Sequence, residues 1–188
     1  AAAGVLRNLA TVADYRKEIA QEGGIKPIIN LLGDSNEPGV REAAALVLKS
    51  FATDSDNKKE IAREGGIKPL IGLLGRSSEP SVREAAAGVL HFLAMDADFR
   101  QEIAREGGIK PLIGLLGGSS EPGVREVAAY VLKSFATDDD HKKEIAREGG
   151  IKPLIGLLEQ GGEPSVKEAA AFALARLAKD DDNKKEIA

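Results

Sequence analysis

The chain has 188 residues, 26 of them basic and 30 acidic, with no cysteine, no tryptophan and few aromatics. Such a balance lacks the basic stripe that phosphate backbones demand, so nucleic-acid binding is not expected, and without cysteine there are no disulfides and no thiol chemistry. Apolar runs are broken by Lys, Pro and Gly well short of the roughly 20 residues of a membrane span, and Ala1-Ala2-Ala3-Gly4 has no basic n-region of a secretory signal.

Residues 1–10 read as an apolar helix carrying Leu6 and Asn8. The string Glu-Gly-Gly-Ile-Lys-Pro then starts at Glu22, Glu64, Glu106 and Glu148, a constant step of 42 residues. A period in the forties with helical text between copies marks an α-solenoid, in which each unit touches only its neighbours. The unit from Asp56 to Leu93 shows the pattern. Asp56, with Asp14, Asp98, Asp140 and Asp182 in the same slot, is expected to cap a short first helix, 57–63. Gly65-Gly66 ends that helix with a left-handed turn. Ile67, Leu70, Ile71, Leu73 and Leu74 form a buried second helix with Pro69 in its first turn. Gly72 recurs as Gly114 and Gly156, and such costly helix glycines predict close approach of a neighbouring backbone. Ser78-Glu79-Pro80 supplies a cap and an early proline for a third helix, whose inward stripe is Val82, Ala86, Val89, Leu90 and Leu93. Leu6, Leu48, Leu90, Leu132 and Leu174 repeat one core position, and 180–188 reads as a closing first helix.

Gly-Gly-Ile with Pro before a Leu-rich helix, followed by Val-Arg-Glu-Ala-Ala-Ala, resembles the armadillo repeat along the whole chain. The resemblance implies an all-α, right-handed solenoid with three helices per 42-residue repeat. It divides one domain, 1–188, into a partial repeat 1–10, full repeats of about 12–53, 54–95, 96–137 and 138–179, and a partial first helix 180–188. A two-helix HEAT solenoid has a similar period, but the glycine break that splits off a short first helix favours armadillo.

The armadillo resemblance further implies a concave groove lined by third helices, where family members bind extended peptides or disordered segments. Many carry one Asn per third helix to hold the peptide backbone, with a Trp one turn earlier. In this chain the Asn slot holds Asn8, Ser50, Phe92, Ser134 and Arg176, and the Trp slot holds Gly4, Leu46, Gly88, Tyr130 and Phe172. A regular backbone clamp is therefore not expected. One turn earlier, Ala1, Ala43, Ala85, Val127 and Ala169 replace the acidic residues of some basic-peptide binders. The candidate contact residues are Asn8, Leu46, Ser50, Phe92, Tyr130, Ser134, Phe172 and Arg176, since aromatics and Arg anchor interfaces. The plainer reading of Tyr130 and Phe172 is filler between adjacent third helices. Residues 4–66 also match 88–150 better than a single-unit shift does, so the chain carries a paired-repeat period.

Asp54-Ser55-Asp56-Asn57 and its counterparts look like calcium loops but lack the internal Gly and bidentate Glu of an EF-hand, and capping explains them. His91 and His141 are too far apart in sequence for a metal pair. No phosphate-loop motif occurs, and no nucleophile–base pairing is evident. The expectation is a non-enzymatic scaffold, without cofactor, for an extended, disordered or helical protein segment, with no nucleic-acid or membrane partner. An engineered or consensus-like solenoid with no evolved ligand is the competing expectation, favoured by near-identical repeats. The apolar start and the stop at Ile187-Ala188 predict self-association through exposed terminal repeats. The expected location is cytoplasmic or nuclear for a natural chain.

Overall fold

A computed structural model describes residues 13–76, 79–118, 121–159 and 163–180, with residues 183, 184 and 187. Among them lie twelve α-helices and no strand. In chain order they are α1 (Ala13–Gln21), α2 (Ile25–Asp34), α3 (Pro38–Phe51), α4 (Ser55–Arg63), α5 (Ile67–Arg76) and α6 (Pro80–Leu93). The same triplet returns as α7 (Ala97–Arg105), α8 (Ile109–Gly118), α9 (Pro122–Phe135), α10 (Asp139–Arg147), α11 (Ile151–Glu159) and α12 (Pro164–Leu177). Three helices per unit stack as an all-α solenoid. The expected opening helix at 1–10, with Asn8, lies outside the described residues.

The Gly-Gly pair does two different things. Gly65 sits at φ 74°, the left-handed region that an L side chain enters only at a cost. Its N–H donates to Ala62 O at 2.9 Å and that of Gly66 to Ile61 O at 2.9 Å, the Schellman pattern that closes a helix C-terminus. Gly66 is needed for space instead. A Cβ there would lie 2.9 Å from the Ile61 carbonyl oxygen and 3.1 Å from Ile29 Cδ1 of the preceding unit. Gly108 meets Ile71 Cδ1 and Gly150 meets Ile113 Cδ1 in the same way, at 3.2 and 3.1 Å. The repeated motif also carries charge between units, because Lys26 pairs with Glu64 and Lys110 with Glu148, both at 3.2 Å.

The third helices carry most of the core. Proline at the start of α6 fixes φ where no backbone donor is required. The helix then buries Val82, Ala85, Ala86, Ala87, Gly88, Val89, Leu90 and Leu93. First helix α4 buries only Ile61. Each third helix packs on that of the next unit, α3 on α6, α6 on α9 and α9 on α12, and each second helix packs on its own third helix. Small residues permit that approach, and Leu48, Leu90, Leu132 and Leu174 are all buried as expected.

Three local expectations are corrected. The first-helix caps are Asp54 and Asp138, two residues before Asp56 and Asp140. Asp54 Oδ1 accepts from the N–H groups of Asp56 and Asn57, and Asp138 Oδ1 from those of Asp140 and His141. Asp96 occupies the same N-cap position without a side-chain cap bond, and its carboxylate meets Lys58 instead. The helix glycines Gly72 and Gly114 face open space, with no heavy atom within 4 Å of where a Cβ would stand. Finally, Glu79 is the N-cap of α6 and makes no side-chain cap bond, while Ser78 lies outside the described residues.

Candidate functional site: the third-helix face

Adjacent packing of α3, α6, α9 and α12 brings their equivalent slots into one row. Leu46, Ser50, Phe92, Tyr130, Ser134, Phe172 and Arg176 are each half-buried along it, and Asn8 lies outside the described residues. Leu46, Phe92 and Tyr130 are partly buried and pack against the core below. The two serines are not free donors. Ser50 Oγ donates to Val47 O at 2.7 Å and Ser134 Oγ to Tyr130 O at 3.2 Å, so each hydroxyl proton is spent on its own helix. Their lone pairs remain available as acceptors.

Gly88 occupies the slot that the armadillo resemblance assigns to Trp, and the neighbouring unit explains it. A Cβ on Gly88 would fall 2.9 Å from Lys49 Cδ and Cε, so the Lys49 stem lies across this glycine. Beside it, the His91 ring is 5.5 Å from that of Phe92 and 5.8 Å from that of Tyr130. Burial and the nearby Lys49 charge hold the His91 pKa below its ordinary value of 6.5. The imidazole is therefore neutral at pH 7.

The richest part of the row is shared by α9 and α12. A depression of about 230 Å³ is lined by His91, Tyr130, Lys133, Ser134, Thr137 and Phe172. Lys133 Nζ stands 4.9 Å from the Phe172 ring centroid and 6.0 Å from that of Tyr130. Arg176 lies 4.9 Å from the Phe172 centroid, so two cations contact the same ring. Lys133 also reaches Glu168 Oε1 at 3.8 Å, across a carboxylate whose side chain is 79% exposed. Such a pair is long and solvated, and holds Lys133 weakly.

Sequence reasoning named the aromatics and Arg176 but missed Lys133, His91 and Lys49. The signal was present in the slot preceding the Asn position, which reads Lys49, His91, Lys133 and Ala175 through the four units. No group of three or more metal-ligating side chains occurs among the described residues, and none of their helices is long and apolar enough to cross a membrane.

Known proteins share this architecture. A designed armadillo repeat protein in complex with the peptide (KR)4 superposes with a TM-score of 0.86 at 21% identity, covering 99% of this chain and 78% of that one. A computationally designed armadillo repeat protein for modular peptide recognition gives 0.88 at 22%, with 98% and 79% covered. A protein described as engineered gives 0.89 at 31%, with 99% of this chain and 46% of that one covered. No curated protein sequence matches. The armadillo/beta-catenin-like repeat profile matches residues 13–51, 54–94, 96–136 and 138–179. The chain belongs to the armadillo/beta-catenin-like repeat family.

Proposed function

We propose that the chain is a non-enzymatic scaffold, one solenoid from end to end, that binds an unfolded segment of another protein along its third-helix face. The observation that carries this reading is the half-buried set Tyr130, Lys133 and Phe172 lining an open depression, with Arg176 against the Phe172 ring. A structural filler would bury its ring and need no cations around it, whereas aromatic and Arg side chains left at a surface depression are the anchors that interfaces use. Leu46, Ser50, Phe92 and Ser134 extend the same row toward the N-terminal units. The likeness to the designed protein holding (KR)4 supports a peptide rather than a folded domain as ligand.

The test is selection from a random linear-peptide display library. Peptides enriched on the chain should bind the Tyr130→Ala and Phe172→Ala variants at least about tenfold more weakly, the loss of about 1.4 kcal/mol expected of an interface anchor. Enrichment of nothing, or of peptides indifferent to both changes, would sink the proposal.

A second reading has one observation in its favour, the 31% identity to a protein described as engineered. On that reading the chain is a consensus-like structural solenoid with no evolved ligand. The same peptide selection tests it, and an enriched peptide that depends on Tyr130 and Phe172 would exclude it.

A further inference from the structure

The charges along the third-helix face point to one class of ligand. From α3 to α12 the row holds Lys49, Lys133 and Arg176 beside Leu46, Phe92, Tyr130 and Phe172. Lys49 and Arg176 form no ion pair among the described residues. Lys133 has only the long, exposed contact to Glu168. The cations are also held in place. Lys49 lies across Gly88, and Lys133 and Arg176 both contact the Phe172 ring, so binding a ligand costs them less rotamer freedom than free side chains would lose.

The opposite charge is turned elsewhere. Glu84 lies against Gly123, with an oxygen 2.7 Å from where a Cβ would stand, and Glu126 accepts from Ser165 Oγ at 2.9 Å. Both contacts are at the start of the next third helix, about three turns, or roughly 15 Å along the axis, from Lys133 and Arg176. One turn before the Leu46, Gly88, Tyr130 and Phe172 slots stand Ala43, Ala85, Val127 and Ala169, none of them charged. A lysine or arginine on a ligand would therefore meet fixed cations and, beside Lys133, the exposed Glu168 carboxylate already shared with that cation.

We infer that the segment bound by this face is acidic, with an aspartate or glutamate seated at the depression between Lys133 and Arg176 against Phe172, and a second carboxylate toward Lys49. The inference rests on the groove reading above and deepens it. An incoming carboxylate competes with Glu168 for Lys133 and takes the planar guanidinium of Arg176, which suits paired hydrogen bonds to one carboxyl group. Complementary charge of this kind sets which partner is accepted more than how tightly it binds.

The experiment is the composition of peptides enriched from the random display library, followed by fluorescence anisotropy on the best of them. Enrichment of Asp and Glu over Lys and Arg is expected. Replacing the key Asp of an enriched peptide by Asn should weaken it at least tenfold at low salt, and the Lys133→Gln/Arg176→Gln double variant should erase that difference. The variant's helical circular dichroism should be unchanged. Arg176→Glu should shift enrichment toward basic peptides. Enrichment of neutral or basic peptides that still depend on Tyr130 and Phe172 would overturn the acidic inference and leave the groove reading standing. Failure of any peptide to enrich would overturn both.

Discussion

Single atoms decide more in this chain than its regularity implies. The glycines of one unit, identical in chemistry, have three different values. Gly65→Ala places a methyl at φ 74° and should cost about 1–2 kcal/mol. Gly66→Ala drives a methyl against Ile61 and Ile29, and overpacking of that kind costs about 1–3 kcal/mol. Gly72→Ala meets nothing and should instead stabilise by about 0.5–1 kcal/mol through helix propensity. Urea midpoints of the three variants check the order and, for Gly72, the sign. His91 makes a pH prediction. Its folded pKa lies below the unfolded value of 6.5, so in the window just below pH 6.5 the unfolded chain binds more protons than the folded one. Stability from this group is intact above pH 6.5 and falls as pH drops toward the lowered folded value. The urea midpoint of the native chain should decline between pH 7.5 and 5.5, and His91→Gln should lose the part of that decline due to this residue.

At the scale of the helix, caps and buried stripes set which elements hold. Asp138→Ala removes two acceptor contacts to the first turn of α10 and should cost about 1 kcal/mol, whereas Asp140→Ala, an exposed first-turn residue, should cost a few tenths at most. Thermal unfolding of the pair distinguishes them. The cap could not be assigned from the sequence because either aspartate fits the rule. Only the extended backbone of Asp138, at φ −108° and ψ 139°, selects it. The helices themselves were legible, since Pro80, Gly65-Gly66 and the spacing of Val82, Val89 and Leu93 each reflect a local physical requirement. The groove was half legible. The slots of Phe92, Tyr130, Phe172 and Arg176 follow from alignment, but Lys133 over Phe172 depends on how α12 is offset against α9, which no single helix encodes. The misread Gly72 has a similar cause: a recurring glycine implies crowding only if something stands beside it.

For the whole molecule, stability is a sum over neighbours, and it is unevenly distributed across the layers. Third helix α6 buries eight residues where first helix α4 buries one. Hydrogen exchange should therefore be slowest in α6 and α9 and fastest in α4, α7 and α10, because local opening follows buried contact. Equal protection in the two layers would refute this. The paired-repeat period seen in the sequence has a physical counterpart as well: Lys26–Glu64 and Lys110–Glu148 form, and the intervening Lys68 and Glu106 do not pair. The contacts of Gly66 with Ile29, Gly108 with Ile71 and Gly150 with Ile113 lie a layer away from the third-helix row, yet they set how closely one unit sits on the next. They act as the pitch screw of a ruler. Trimming Ile71 to valine would let one graduation close without touching the scale. A bound peptide, whose own residue spacing is fixed at roughly 3.3–3.4 Å when extended, would register that change as a slip between its side chains and the sites that receive them.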